Sequence, residues 1–220
     1  MRIILLFLTI ALYSSLGAQI VFEEVTPVPG TFIRHIDESS TSLQSLLTSE
    51  ALFGKTVTGS SWIERDQEVT DIYDVMYSPD GDLYTKNDSF ILYSQNNGET
   101  FTVIDWPSGT FPPYDGTNLY VLDDDVLFIN DFLGYCYYSI NNGQSWQLGG
   151  QLFLSIETVA RMVDDFIYLA DPSSIGAGII ARINVSTGQL EIIDILRLAI
   201  PYDPIYCQII EDGTVYMLGI

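Results

Sequence analysis

One histidine, His35, and two cysteines, Cys136 and Cys207, are all this chain of 220 residues holds of the side chains that most often bind transition metals. With one imidazole, neither a histidine-based metal centre nor a Ser-His-Asp triad can be assembled. Cations are scarce too: 8 Lys and Arg stand against 29 Asp and Glu, for a net charge of −21. Nucleic acids and anionic membranes are bound through Lys and Arg, so this surface repels both. Beyond the first residues no apolar run is long enough to span a bilayer. Charged residues are only 17% against 47% hydrophobic, which excludes a disordered acidic tail and leaves ample material for a core. The plain reading of the acidic excess is that it keeps a β-rich protein soluble and guards its strand edges. The alternative is a use for cationic partners or calcium.

The N-terminus is what a secretory leader requires. Arg2 precedes an apolar run from Ile3 to Tyr13, and Ser14-Ser15-Leu16-Gly17-Ala18-Gln19 gives a small-residue exit. Residues 1–19 are therefore expected to be a signal peptide and the protein to be secreted or held at the cell surface. No cysteine lies near the cleavage point, which argues against a lipid anchor.

Past the leader the chain repeats itself. Ser94-Gln-Asn96-Asn-Gly98-Glu-Thr100-Phe101 recurs as Ser139-Ile-Asn141-Asn-Gly143-Gln-Ser145-Trp146, and Gly98 and Gly143 are 45 positions apart. Gly188 lies 45 positions further on, in a copy that keeps the turn and loses the aromatic. Asn-Gly between alternating apolar runs is a strong hairpin signal. A second series runs out of phase with the first: an acidic or glycine turn, then apolar-x-aromatic, ending at Tyr84, Phe128, Tyr168 and Tyr216. Its spacings are 44, 40 and 48 positions. Such a period points to an all-β β-propeller of four-stranded antiparallel blades of ~45 residues. Complete blades are expected from about Asp71, and the last is cut after its second strand near Ile220. About 3.5–4 blades make an incomplete ring, so the chain reads as the N-terminal part of a longer protein. Residues 20–70 read as a degenerate or closing segment, with a loop or helical turn at 39–48. Residues 71–220 hold the blades. On this phase Cys136 and Cys207 fall on blades that do not touch, and two buried free thiols are expected.

The repeated octapeptide resembles the Asp-box, or BNR repeat, of sialidase-type propellers. The family pattern is Ser-x-Asp-x-Gly-x-Thr-Trp. Asn96 and Asn141 stand where the family has Asp, and Phe101 stands where Trp146 keeps Trp. By resemblance Ser94, Asn96, Gly98, Phe101, Ser139, Asn141, Gly143 and Trp146 are structural residues of rim turns, with the aromatic packed inward. They name a scaffold and not an activity. The sialidases of this family carry an Arg-Ile-Pro motif that begins an arginine clamp on the substrate carboxylate. Phe32-Ile33-Arg34-His35 is the nearest match and lacks the proline. A xyloglucanase-type hydrolase would instead need two opposed carboxylates. Asp71, Asp74, Asp123, Asp124, Asp131, Asp164 and Asp171 are candidates, most of them expected to be turn residues. Asp123-Asp124-Asp125 offers hard oxygens for calcium, but a turn is its plain reading. No catalytic residue, no resident metal and no cofactor is assigned. The expected role is an exported recognition module for a glycan or protein. The alternatives are a glycoside hydrolase with residues in a missing C-terminal part, and an assembly or stability factor like the photosystem propellers.

Overall fold

The computed structural model describes residues 33–38, 43–48, 51–56, 63–65, 72, 74–87, 89–109, 117–154, 158–171, 178–196 and 206–218. The expected leader and Asp71 lie outside them, as do the side chains of Arg34, His35 and Cys207. Every regular element among the described residues is a strand.

Four antiparallel sheets follow one another, each built from consecutive strands in sequence order. The first holds β1 (Ile33–Glu38), β2 (Leu43–Thr48), β3 (Leu52–Thr56) and β4 (Ile63–Glu64). The second holds β5 (Asp74–Tyr77), β6 (Leu83–Lys86), β7 (Ile91–Ser94) and β8 (Thr102–Ile104). The third holds β9 (Asn118–Asp123), β10 (Val126–Asn130), β11 (Tyr135–Ser139) and β12 (Gln147–Gln151). The fourth holds β13 (Val159–Val163), β14 (Phe166–Asp171), β15 (Gly178–Asn184) and β16 (Leu190–Leu196). A two-stranded sheet of β17 (Tyr206–Ile209) and β18 (Val215–Leu218) comes last. The first strands β1, β5, β9, β13 and β17 neighbour one another in turn. That is the arrangement of propeller blades around an axis.

The core lies between sheets. Leu47, Leu52, Val75 and Leu83 fill the first junction. Tyr84, Ile91, Ile104, Leu119, Leu127 and Ile129 fill the second. Phe128, Tyr138, Ile167, Leu169 and Ile183 fill the third, and Ala170 with Ile209 the fourth. Each sheet alternates apolar residues so as to feed both its neighbours: Leu127 and Ile129 of β10 face back, and Phe128 faces forward. Each fully buried aliphatic side chain contributes roughly 1.5–3 kcal/mol.

Within the segment 20–70, β1 to β4 pair as a four-stranded sheet. Within 39–48, Leu43–Thr48 is strand rather than loop or helical turn. Tertiary burial decides this. Leu47 is sealed against the next sheet, and Ser45 is buried with its hydroxyl 2.5 Å from that of Tyr77. Cys136, on β11, is a buried free thiol, and burial pushes its pKa up to about 12. Cys207 lies on β17, two sheets away.

Candidate functional site

The rim turns are built alike atom by atom. Asn97 and Gly98 have φ of 54° and 80°, and Asn142 and Gly143 have 52° and 74°. Each pair sits inside a seven-residue connection, and Asn followed by Gly reaches two consecutive left-handed conformations with least strain. Ser94 Oγ accepts the Gly98 N–H at 2.8 Å, as Ser139 Oγ accepts that of Gly143 at 2.8 Å. Asn96 Oδ1 accepts the Thr100 N–H at 3.0 Å, and Asn141 Oδ1 that of Ser145 at 2.9 Å. The amide also donates: Asn96 Nδ2 to Thr100 Oγ1 at 3.0 Å, and Asn141 Nδ2 to Ser145 Oγ at 2.9 Å. A carboxylate would keep the accepting half of this pattern, and the hydroxyl would turn to donate. The third copy differs. Asn184 Oδ1 caps Ser186 and Thr187 N–H in a shorter turn, where Gly188 N–H meets the Asn184 carbonyl.

These turns are also where sheets fasten to each other. Tyr84 OH donates to Asn142 Oδ1 at 2.9 Å, a residue of the following sheet's turn, and Tyr138 OH donates to Val185 O at 3.0 Å in the next. Burial holds the Tyr84 hydroxyl well above its ordinary pKa, and the nearby Tyr93, Asp82, Asp125 and Asp124 push the same way. Phe101 is partly buried against the first junction. Trp146 is half-buried rather than enclosed: its ring leans on the second junction and its indole N–H reaches Asp105 O at 3.0 Å. It stops short of the core because a groove opens beside it.

The candidate carboxylates divide between the two sides of the disc. Asp123, Asp124 and Asp164 sit on or beside turns from first to second strands. There Asp124 Oδ1 accepts the Asp80 N–H at 3.0 Å across the second junction, and Asp123 Oδ1 accepts the Asp124 N–H at 3.0 Å. Partial burial and the Asp80 carboxyl beside it raise the Asp124 pKa. Among the described residues no three metal-ligating side chains converge. Asp74, Asp131 and Asp171 lie on the opposite side, where first strands begin and second strands end. Asp131 is 2% exposed, and its Oδ1 takes the N–H groups of Leu133 and Tyr135. Asp171 is fully buried. Tyr120, whose OH donates to Thr158 O at 3.2 Å, has its pKa raised by burial and by Asp171 and Asp74. Lys86 bridges to the Thr117 carbonyl of the next sheet. Of the arginines, Arg182 pairs with Glu191 at 2.8 Å and lies over the Phe166 ring, while Arg161 donates to Ile209 O at 3.0 Å.

A concavity lies at the rim, between β8 of the second sheet and the Asn142-Gly143 turn of the third. It measures about 430 Å³ and is open to solvent. Tyr93, Asp105, Trp106, Asn142, Gln144 and Trp146 line it. Tyr93 OH donates to Asp82, and burial together with that bond pushes its pKa up to about 12. The Trp106 indole N–H is buried with no acceptor among the described residues. Of its lining the sequence singled out Gly143 and Trp146 and missed Tyr93, Asp105, Trp106 and Asn142. The only cue was that Asp105-Trp106 follows an outer strand.

No family model matches the chain, and no curated protein resembles it in sequence. Solved structures do resemble it in shape. YCF48 from Cyanidioschyzon merolae superposes with a TM-score of 0.55 at 14% identity, over 87% of this chain and 65% of that one. A GH74 enzyme from Niastella koreensis gives 0.54 at 16% identity, over 78% and 26%. The WD40 domain of SCAP from fission yeast gives 0.53 at 14% identity, over 76% and 46%. This chain thus spans between 26% and 65% of the length of these structures. At such identities the likeness speaks to architecture alone. The chain is a β-propeller.

Proposed function

We propose that this chain is an exported recognition module on an Asp-box propeller scaffold, holding a protein or glycan partner at the rim of a rigid disc. The observation that carries the reading is the groove lined by Tyr93, Trp106 and Trp146, where large aromatics stay partly open to solvent beside an acid and two amides. Binding surfaces concentrate their energy in such anchors. The Asp-box assignment is supported by the two superimposable turns, in which Ser94 and Asn96, and Ser139 and Asn141, satisfy the hairpin's own N–H groups. Export rests on residues 1–19, and the mass of the mature chain in the culture medium tests it.

A hydrolase would draw instead on Asp74, Asp131 and Asp171, which share one side of the disc with Tyr120. One experiment separates the two. The chain is incubated with fluorogenic sialosides and xyloglucan oligosaccharides, and is screened in parallel for binding to arrays of glycans and peptides. Binding without sugar release is the expected result. Release of sugar that Asp131→Asn or Asp171→Asn abolishes would overturn the recognition reading.

A further inference from the structure

Resting on that reading of the groove, we propose that its ligand is an extended peptide segment bearing an arginine or lysine. The cationic side chain would lie against Asp105 and the three aromatics, and the peptide backbone would run along the free edge of β8.

Charge is the first reason. Asp105 faces the groove, and Asp82, Asp124 and Asp125 stand close behind it around the hydroxyls of Tyr93 and Tyr84. Among the described residues no Lys or Arg lines it. An anionic sugar is repelled there, and a neutral one leaves the carboxylate uncompensated. A cation is attracted, and it also gains from the faces of Tyr93, Trp106 and Trp146.

The second reason is a precedent inside the chain, one junction earlier. Arg65 follows β4 as Asp105 follows β8, and the Asn97-Gly98 turn there corresponds to Asn142-Gly143. Arg65 lays its stem over that turn so closely that a Cβ on Gly98 would sit 3.2 Å from its Cγ. Its Nη1 is 3.6 Å from Glu99. The fold therefore already seats a guanidinium at this kind of corner. At the second junction the chain places Asp105 where it had Arg65 and Gln144 where it had Glu99, so the cation must come from outside.

The third reason is the edge. Among the described residues β8 is the outermost strand of its sheet and pairs only with β7. An extended peptide added there would pair its main chain with β8. It would also cover Val103, which is 53% exposed.

The test uses the full chain and two short dye-labelled peptides, one alternating Arg with Val and the other Glu with Val, followed by fluorescence anisotropy. Cellotetraose, followed by tryptophan fluorescence, is the sugar arm. The Arg peptide should bind and the Glu peptide should not. Asp105→Asn should weaken binding about five- to tenfold, and Asp105→Arg, which supplies an internal cation, should abolish it. Gln144→Glu, which restores the Glu99 arrangement, should tighten binding, an outcome that misfolding cannot imitate. Asp212→Asn, on a distant turn, should change nothing. Equal binding of both peptides, or Arg-peptide binding indifferent to Asp105→Asn and Gln144→Glu, would overturn the proposal. Cellotetraose binding without peptide binding would overturn it too, yet leave the recognition reading standing. Failure of every arm would sink both.

Discussion

Replacing Gly143 and Gly98 with alanine, one at a time, separates two costs that usually come mixed. Both glycines sit at left-handed φ, 74° and 80°, in superimposable turns. Alanine should therefore pay the same backbone strain at each, ~1–2 kcal/mol. It should recover ~0.4–1 kcal/mol through the unfolded chain. The surroundings differ. At Gly98 a new Cβ meets Arg65 Cγ and Leu83 Cδ2, each at 3.2 Å, and both are side-chain atoms that can shift a few tenths of an ångström. At Gly143 it runs into Ile104 Cγ2, well inside van der Waals contact. Ile104 is only 7% exposed and belongs to the second junction, so it cannot swing clear without opening that core. Overpacking of this kind costs ~1–3 kcal/mol. Gly98→Ala should thus lose ~1 kcal/mol and Gly143→Ala ~2–4 kcal/mol. Urea unfolding followed by tryptophan fluorescence reads the difference. Equal losses within ~0.5 kcal/mol, or the reverse order, would refute the reasoning, because strain is common to both sites and only the clash distinguishes them.

Three further outcomes are expected. Tyr84→Phe removes the hydroxyl that joins Asn142 Oδ1 and Asp124 O, and should cost ~1–2 kcal/mol with little change in the circular dichroism of the native state. Because the Asp124 pKa is raised in the folded state, that state holds its proton more tightly than the unfolded chain does. This group's contribution therefore grows as the pH falls through its raised pKa toward 3.8 and is absent at neutral pH. Asp124→Asn should accordingly raise the Tm at pH 7 and flatten its rise on mild acidification, and an unchanged profile would refute this. In a Cys207→Ser background, the buried Cys136 thiol, with its pKa near 12, should resist a thiol reagent at pH 8 until denaturant is added.

Turn chemistry was legible in the sequence because it is local. Ser94, Asn96 and Gly98 solve one hairpin within a few residues, so their spacing carries the answer. The first sheet was hidden because its signals conflict. Leu43, Leu46 and Leu47 are spaced as on a helix face, and no Asn-Gly turn marks the hairpin. Only contact with Val75 and Leu83 of the next sheet makes Leu43–Thr48 a strand. The groove was illegible for a related reason. It joins Asp105 and Trp106 to Gln144 and Trp146, some 40 positions on, and no repeat pairs them. Trp146 read as core because the sequence shows an aromatic but not which of its faces meets a neighbour.

Each apolar cluster among the described residues is shared by two consecutive sheets, and the Tyr84 and Tyr138 hydroxyls both reach to the sheet that follows. Such a chain can be assembled in the direction of its synthesis. As the third sheet emerges, the second already presents the Tyr84 hydroxyl and the Ile91 and Ile104 wall on which it condenses. Growth by accretion lets nearest-neighbour terms dominate, as in linear repeat arrays. A lesion at one junction then interrupts everything added after it while sparing what came before, so truncated products should come in lengths that step by about one blade.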